Sequence, residues 1–134
     1  MTEIIRLEIS SCLKNIAQVE SMIEDLKVQL NIKEDKYFKV RLASVEAVTN
    51  AIEHGNNLDE HKKVHIKVCK STSIFKLTVH DQGMGFDPNI LPNPTAPEFL
   101  EQPDGRGVFL MRKLADEINF YDGGRCVEMS FYLS

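Results

Sequence analysis

The stretch RLASVEAVTNAIEHGN, residues 41–56, combines an apolar helical pattern with evenly spaced polar side chains. Its apolar residues recur every three to four positions, the spacing of an α-helix with about 3.6 residues per turn. Glu46, Asn50 and Glu53 follow the same period and lie in a strip between two apolar faces. An ionised carboxylate in such a strip is costly unless a partner compensates it. The pattern therefore predicts a helix that is buried nearly all round, and it suggests that the missing partner is a ligand.

The ends of this helix are also predicted from the sequence. Asp35 is predicted to cap the helix at its start, and Gly55 to end it near His54. On this stretch alone, a capping or surface role for Glu46 and Asn50 is the alternative to ligand binding. The two apolar faces of the helix differ in side-chain size. The face with the larger side chains contains Phe38, Leu42, Val45, Val48 and Ile52, and the face with the smaller ones contains Val40, Ala43, Ala47 and Ala51.

Length and charge limit the classes of function. The chain has 134 residues, and by length we expect one domain over residues 1–134. A net charge of -4 and the absence of a Lys/Arg run argue against direct nucleic-acid binding. No apolar run approaches the roughly 18 residues of a membrane span, and the first residues lack a signal-peptide pattern. We therefore expect a cytoplasmic protein with no membrane contact.

The cysteines and histidines follow no metal-binding or disulfide pattern. Cys12, Cys69 and Cys126 are odd in number and widely separated, so free thiols are expected. The four histidines form no helical pair joined to acidic or thiol ligands. Neither a zinc site nor a disulfide framework is predicted.

The rest of the chain alternates between strand and helix patterns. Residues 4–9 alternate in polarity as in a strand, and Ser10 or Ser11 is expected to cap a first helix that follows. A third helix is expected after Gly107. This order predicts an α+β fold, a two-layer α/β sandwich with three helices against one sheet. Further strands are predicted at 64–69, 75–79, 118–121 and 127–133.

Residues 83–104 show no sustained period and contain all five prolines of the chain. Loops longer than about 12 to 15 residues in a compact domain are usually functional lids or disordered segments. We therefore predict a lid at this segment.

The segment VHDQGMGFDP, residues 79–88, has the composition of a site for a flat ring. Asp81 continues the inward parity of a strand, so its carboxylate can accept a hydrogen bond from an exocyclic amine such as that of adenine. Gly83 and Gly85 would let the backbone approach the ring closely. Taken alone, this spacing also fits any tight turn.

The segment PDGRGVFLMRKL, residues 103–114, places Gly105 and Gly107 before a predicted helix. The free N–H groups and the dipole of a helix N-terminus suit phosphate groups. In the helix predicted within residues 41–56, the amide oxygen of Asn50 suits Mg²⁺. The carboxylate of Glu46 in the same helix could orient or deprotonate a nucleophile. Together the three segments supply a metal ligand, a base pocket and a phosphate cradle.

These segments, in this order, resemble the N, G1 and G2 boxes of the histidine-kinase-like (GHKL) ATPases. The matching patterns are ExxxN at 46–50, DxGxG at 81–85 and GRG at 105–107. More closely, EAVTNAIEHGN, HDQGMGFDP, PNPTAPE and GRGVFLMRKLADEI resemble the bacterial anti-sigma factor serine kinases of partner-switching modules. The resemblance covers roughly residues 4–133. It implies a mixed, mostly antiparallel sheet under helices, ATP beneath a lid, and a STAS-domain anti-sigma antagonist as protein substrate.

The resemblance also implies a role for each matching residue. Asn50 would bind Mg²⁺, Glu46 would act as general base toward a serine hydroxyl, and Asp81 would recognise adenine. A sigma factor would be the sequestered partner, and a homodimer is plausible on the same ground. The glycines Gly83 and Gly85 would line the nucleotide pocket, with Gly105, Arg106 and Gly107 at the phosphates.

The chain departs from the family pattern near its last strand, where the family often has a threonine. The sequence GGRCVEMSF has Arg125 and Cys126 there instead. The chain also leaves no room for the separate phosphoacceptor-histidine helix of the two-component relatives, so a sensor-kinase fragment is not expected. Two alternatives to a protein kinase are a regulatory binding module gated by nucleotide and a small-molecule ATPase. The presence of Glu46 favours the enzyme, because a pure binder needs no base.

Overall fold

The computed structural model describes residues 1–84 and 103–133, with the backbone alone at 103–107. These ranges contain three α-helices and five β-strands. A one-turn π-helix, Ala51–Gly55, continues the second α-helix. The elements are β1 (Thr2–Ser10), α1 (Ile16–Leu30), α2 (Glu34–Asn50), β2 (Lys63–Lys70), β3 (Ile74–His80), α3 (Pro103–Leu114), β4 (Glu117–Tyr121) and β5 (Cys126–Tyr132).

The strands form one sheet in the order β1-β2-β3-β5-β4. The predicted α+β fold class is confirmed, but the sheet is not mixed, since all four pairings among the described strands are antiparallel. Short turns join β2 to β3 and β4 to β5, and a short connection can only join antiparallel neighbours. The longer connection that contains α3 leads from β3 to β4 at the sheet edge, and β5 then lies between β4 and β3.

Alternation along the strands divides the sheet into an apolar face and a more polar face. In β2, Val64, Ile66 and Val68 are buried, and the residues between them are at least partly exposed. β3 continues this pattern with Phe75, Leu77 and Val79. The helices bury the apolar face, as the alternation predicts for a two-layer fold.

Helix α2 is not buried nearly all round, so that expectation was wrong. Phe38, which begins the larger apolar face, is 65% exposed. The side chains that pack inward are mostly small, because small residues let the helix axis approach the sheet and α1 closely. The buried side chains of α2 and its π-turn are Val40, Ala43, Ser44, Ala47, Val48, Ala51 and Ile52.

The predicted caps of α1 and α2 are also wrong. Asp35 lies inside the first turn of α2, where its charge suits the helix dipole, and Lys33 occupies the cap position. Ser10 is the last residue of β1, and Ser11 donates its hydroxyl to the Lys62 carbonyl at 2.8 Å. Ser10 therefore belongs to the strand, and the Ser11 hydroxyl bonds to the segment before β2, so neither caps α1.

Helix α3 begins earlier than predicted. It starts at Pro103, so Gly105 and Gly107 lie within its first turns and do not precede it. Proline suits the first position of a helix, because its missing N–H would have no partner there. Most of the predicted lid over residues 83–104 lies outside the described residues. Among the helices that are described, none has the length and apolar character needed to cross a membrane.

Candidate functional site

A cavity of about 190 Å³ opens where the end of α2, the ends of β3 and β5, and α3 meet. Its walls are mostly apolar, and a few polar groups enter from different elements, which is the usual composition of a small-molecule site. The apolar lining residues are Ala47, Ala51, Val79, Met84, Val108, Met111, Phe120 and Val127, and the others are Asn50, His54, Gly55, Asn57, Asp81, Gly124 and Arg125.

The cavity brings together two residues that the sequence analysis placed on separate elements. Asn50 is the last residue of α2, and Asp81 follows the last residue of β3. Both side chains line the cavity. The π-turn that follows Asn50 widens the helix there, and such turns are frequent at functional sites.

Asp81 packs directly against two glycines. A Cβ atom added to Gly55 would overlap the Asp81 carboxylate, and one added to Gly83 would overlap the Gly55 carbonyl. The Asp81 Oδ1 atom accepts the Gly83 N–H at 2.8 Å, which closes a short turn. The carboxylate is thus oriented by backbone that only glycine permits at both positions.

The Asp81 carboxylate lies in a partly desolvated environment. Burial raises its pKa above the ordinary value, and the Gly83 N–H, His80 and Arg125 act in the opposite direction. In the described part of the chain, Oδ2 accepts no hydrogen bond, whereas Oδ1 is taken by Gly83. Asp81 can therefore accept one further hydrogen bond from a ligand.

Glu46 lies one helical turn before Asn50 and is half-buried. The cavity formed by the described residues is lined by Asn50 but not by Glu46. Of the other predicted site residues, Gly83 is buried beside Asp81, and Gly85 lies outside the described residues. The positions of Gly105, Arg106 and Gly107 are known only from the α3 backbone.

Two residues at the start of β5 mark the departure from the resemblance pattern, Arg125 just before the strand and Cys126 as its first residue. The Arg125 side chain lines the cavity. Cys126 is half-buried, and burial raises the pKa of its thiol, so the thiolate is disfavoured. Of the two, Arg125 is the one that lines the cavity.

Asn56 is a residue of this region that the sequence analysis missed. It is fully buried and makes three hydrogen bonds to separate segments of the chain. Its amide nitrogen donates to Ser11 Oγ at 2.8 Å and to the Lys63 carbonyl at 3.1 Å. Its amide oxygen accepts the Gln82 N–H at 2.8 Å. The polar sequence GNNLD around it suggested only a turn, because nothing in it reveals partners this distant.

Replacing Asn56 by alanine should lower the free energy of unfolding by about 2 to 3 kcal/mol, because buried hydrogen-bonding groups lose their partners. Urea denaturation measures the change. Asn119, exposed on the edge strand β4, provides the control, and Asn119→Ala should change the free energy of unfolding by less than about 0.5 kcal/mol. Equal stability of the two variants would show that Asn56 does not hold these segments together.

Comparison with known proteins bears on the whole domain. The sequence profile of the histidine kinase-like ATPase domain matches residues 9–131. The anti-sigma F factor of Anoxybacillus flavithermus is 29% identical over 96% of this chain and 91% of its own length. That of Geobacillus stearothermophilus is 31% identical over 84% of this chain and 78% of its own length.

Solved structures share the fold at lower sequence identity. The RsbU and RsbW domains of a Mycobacterium tuberculosis protein match with a TM-score of 0.65 and 14% identity, over 96% of this chain and 32% of that one. The catalytic domain of histidine kinase ThkA matches with a TM-score of 0.57 and 17% identity, over 97% and 98% of the two chains. From the extent of the profile match and the identity to the anti-sigma F factors, the chain belongs to the anti-sigma factor group of the histidine kinase-like (GHKL) ATPase family.

Proposed function

We propose that this protein is an ATP-dependent protein-serine kinase that also acts as an anti-sigma factor, and that it phosphorylates a STAS-domain anti-sigma antagonist. The observation that carries the proposal is the convergence of Asn50 and Asp81 on one largely apolar cavity. The names of the relatives supply the sigma factor as a partner. The antagonist, a homodimer, a cytoplasmic location and a single domain over residues 1–134 are parts of the same proposal.

The Asp81 end of the cavity fits an adenine ring. Val79, Met111 and Val127 offer apolar contacts to the faces of a flat ring. Asp81 Oδ2 would accept a hydrogen bond from the exocyclic amine. Because Gly55 and Gly83 lack Cβ atoms, the Asp81 carboxylate can occupy this position without a steric clash.

The Asn50 end fits a nucleotide-bound Mg²⁺. Magnesium prefers oxygen ligands and needs few from the protein when phosphates and water supply the others. The Asn50 amide oxygen is one such ligand on the cavity wall. When bound, Mg²⁺ would neutralise charge on the phosphates.

Phosphoryl transfer asks mainly for positioning of the reactants and for stabilisation of charge. In the proposed reaction the serine oxygen of the partner forms a bond to the γ-phosphorus while the bond to the leaving ADP oxygen breaks. The Glu46 carboxylate accepts the serine proton. Because Glu46 lies outside the wall of the described cavity, the partner's serine would reach it from the α2 side of the bound nucleotide.

The position of Glu46 also favours a second candidate, a regulatory binding module gated by nucleotide without kinase activity. Such a module would need Asn50 and Asp81 but no general base. Both candidates predict nucleotide binding, so the transfer step separates them.

The proposal is tested by incubating the protein with γ-labelled ATP, Mg²⁺ and STAS-domain proteins from the same genome. We expect acid-stable label on a serine or threonine of one of these partners and none on histidines of this chain. ATP binding without transfer to any of them would favour the binding module, and a failure to bind ATP would contradict both candidates.

Replacing Asn50 by alanine should weaken ATP binding in the presence of Mg²⁺ by roughly tenfold, because a metal ligand is lost. Affinity measured in EDTA should change little. Isothermal titration calorimetry gives both values. Thr49→Ala, a half-buried neighbour on α2, is the matched control. Equal losses with and without Mg²⁺ would remove Asn50 from the metal site.

A further inference from the structure

Arg125 lines the cavity and joins two turns beside it. Its Nη1 atom donates to the Gly83 carbonyl at 3.2 Å. Its Nη2 atom donates to Asp122 Oδ1, also at 3.2 Å. One guanidinium therefore connects the turn after β3 with the turn between β4 and β5.

The backbone places Arg125 opposite Asp81. The Asp81 N–H donates to the Arg125 carbonyl at 2.9 Å, which extends the β3–β5 ladder by one bond. Asp122, Gly123 and Gly124 all have positive φ angles, so the chain turns sharply before Arg125. Arg125 is thus held beside Asp81 by main-chain contacts, and its side chain can reach across to Gly83.

Asp122 orients the guanidinium. Its carboxylate accepts hydrogen bonds from Arg125 and, at 3.0 Å, from His80 Nε2. Hydrogen bonds from His80 and then from Arg125 lower the pKa of Asp122, so this carboxylate is ionised at neutral pH. The Arg125 Nε atom also donates to the Asp122 carbonyl at 3.2 Å. These contacts select a conformation in which Nη1 points at the Gly83 carbonyl.

Gly83 is the residue whose N–H orients the Asp81 carboxylate. We propose that Arg125 is a positioning residue of the nucleotide site, which binds Gly83 and Asp122 together and so holds the Asp81–Gly83 turn ready for the adenine ring. The inference rests on the nucleotide-binding part of the proposed function and not on phosphoryl transfer. Arg125 acts on the base end of the ligand, through the protein backbone, without touching the phosphates.

The test compares the affinities of Arg125→Ala and wild-type protein for ATP and for ADP. We expect a loss of roughly 3- to 10-fold, the worth of a single hydrogen bond, and the same factor for both nucleotides. Arg125→Lys should recover only part of the loss, because a single ammonium cannot form the two-pronged bridge. Asp122→Asn, which tolerates the positive φ angle, should give a smaller loss in the same direction. Arg6→Ala, which removes an exposed ion pair on the opposite edge strand, should change neither affinity.

Several outcomes would overturn this inference alone. A larger loss for ATP than for ADP would place Arg125 at the phosphates. Unchanged affinity with a lower melting temperature would show that Arg125 only stabilises the fold, and full recovery by lysine would show that the two-pronged bridge is not needed.

Other outcomes separate this inference from the proposed function. Phosphotransfer that is absent although nucleotide binds would overturn the kinase proposal and leave the inference standing. Wild-type protein that binds neither nucleotide would overturn both.

Discussion

Glu46→Gln should slow phosphoryl transfer to the partner protein by roughly 10² to 10⁴-fold while ATP affinity changes little. Glutamine keeps the shape and much of the hydrogen bonding of glutamate, but it cannot accept the proton of the attacking hydroxyl. Because Glu46 does not line the described cavity, its loss should not disturb the nucleotide. A phosphotransfer time course and a nucleotide titration on the same variant measure the two quantities.

Glu53→Gln is the matched control for this prediction. Glu53 lies about two turns further along, in the π-turn, and is half-buried like Glu46. If Glu46 serves only to stabilise the helix, the two variants should lose similar stability and neither should show a selective loss of transfer. Full transfer by Glu46→Gln would mean that another group, or the substrate itself, takes the proton.

Periodicity identified α2 as a helix but not the face that it buries. Both faces are apolar, so hydrophobicity alone could not choose between them. The buried side combines Ala43 and Ala47 of the smaller set with Val48 of the larger one, since small side chains allow close approach. The larger Phe38 consequently lies at the surface. Side-chain volume, and not only polarity, was the information that the pattern lacked.

Strand parity was more informative at the end of β3. Residues Phe75, Leu77 and Val79 are buried, and Asp81 follows with the same parity into the cavity. A period of two therefore predicted the direction of a polar side chain beyond the last apolar residue. Parity succeeds here because the main chain remains extended as far as Asp81, whose N–H still pairs with Arg125.

The contacts that complete the site could not be predicted, because they join residues distant in sequence. Asn56 reaches both Ser11 and Gln82, and Arg125 reaches Gly83. Arg125 was noticed only as a departure from the family pattern, and nothing in the sequence around either residue indicates its partners. The sheet order, which places β5 beside β3, creates the second of these contacts, and that order is a property of the whole fold.

Replacing Gly55 by alanine should weaken ATP binding by roughly 10- to 100-fold. The new Cβ would overlap the Asp81 carboxylate and displace it from the position in which it receives the adenine amine. Hydrogen bonds to charged groups contribute about 1.5 to 3 kcal/mol, which converts to this range of affinity. Asp81→Ala removes the acceptor itself and should cause a loss of the same size.

A double-mutant cycle decides whether Gly55 acts through Asp81. The three atoms nearest to the new Cβ all belong to the Asp81 carboxylate, and Asp81→Ala removes them. In that background Gly55→Ala should therefore cost little further affinity or stability, although each single change is costly, since residues in contact are not additive. Calorimetry and urea denaturation of the four proteins give both energies. Additive losses would mean that Gly55 is needed for its own backbone conformation or for direct contact with the ligand. The space that Gly55 leaves for the Asp81 carboxylate would then not be the reason that the site needs glycine.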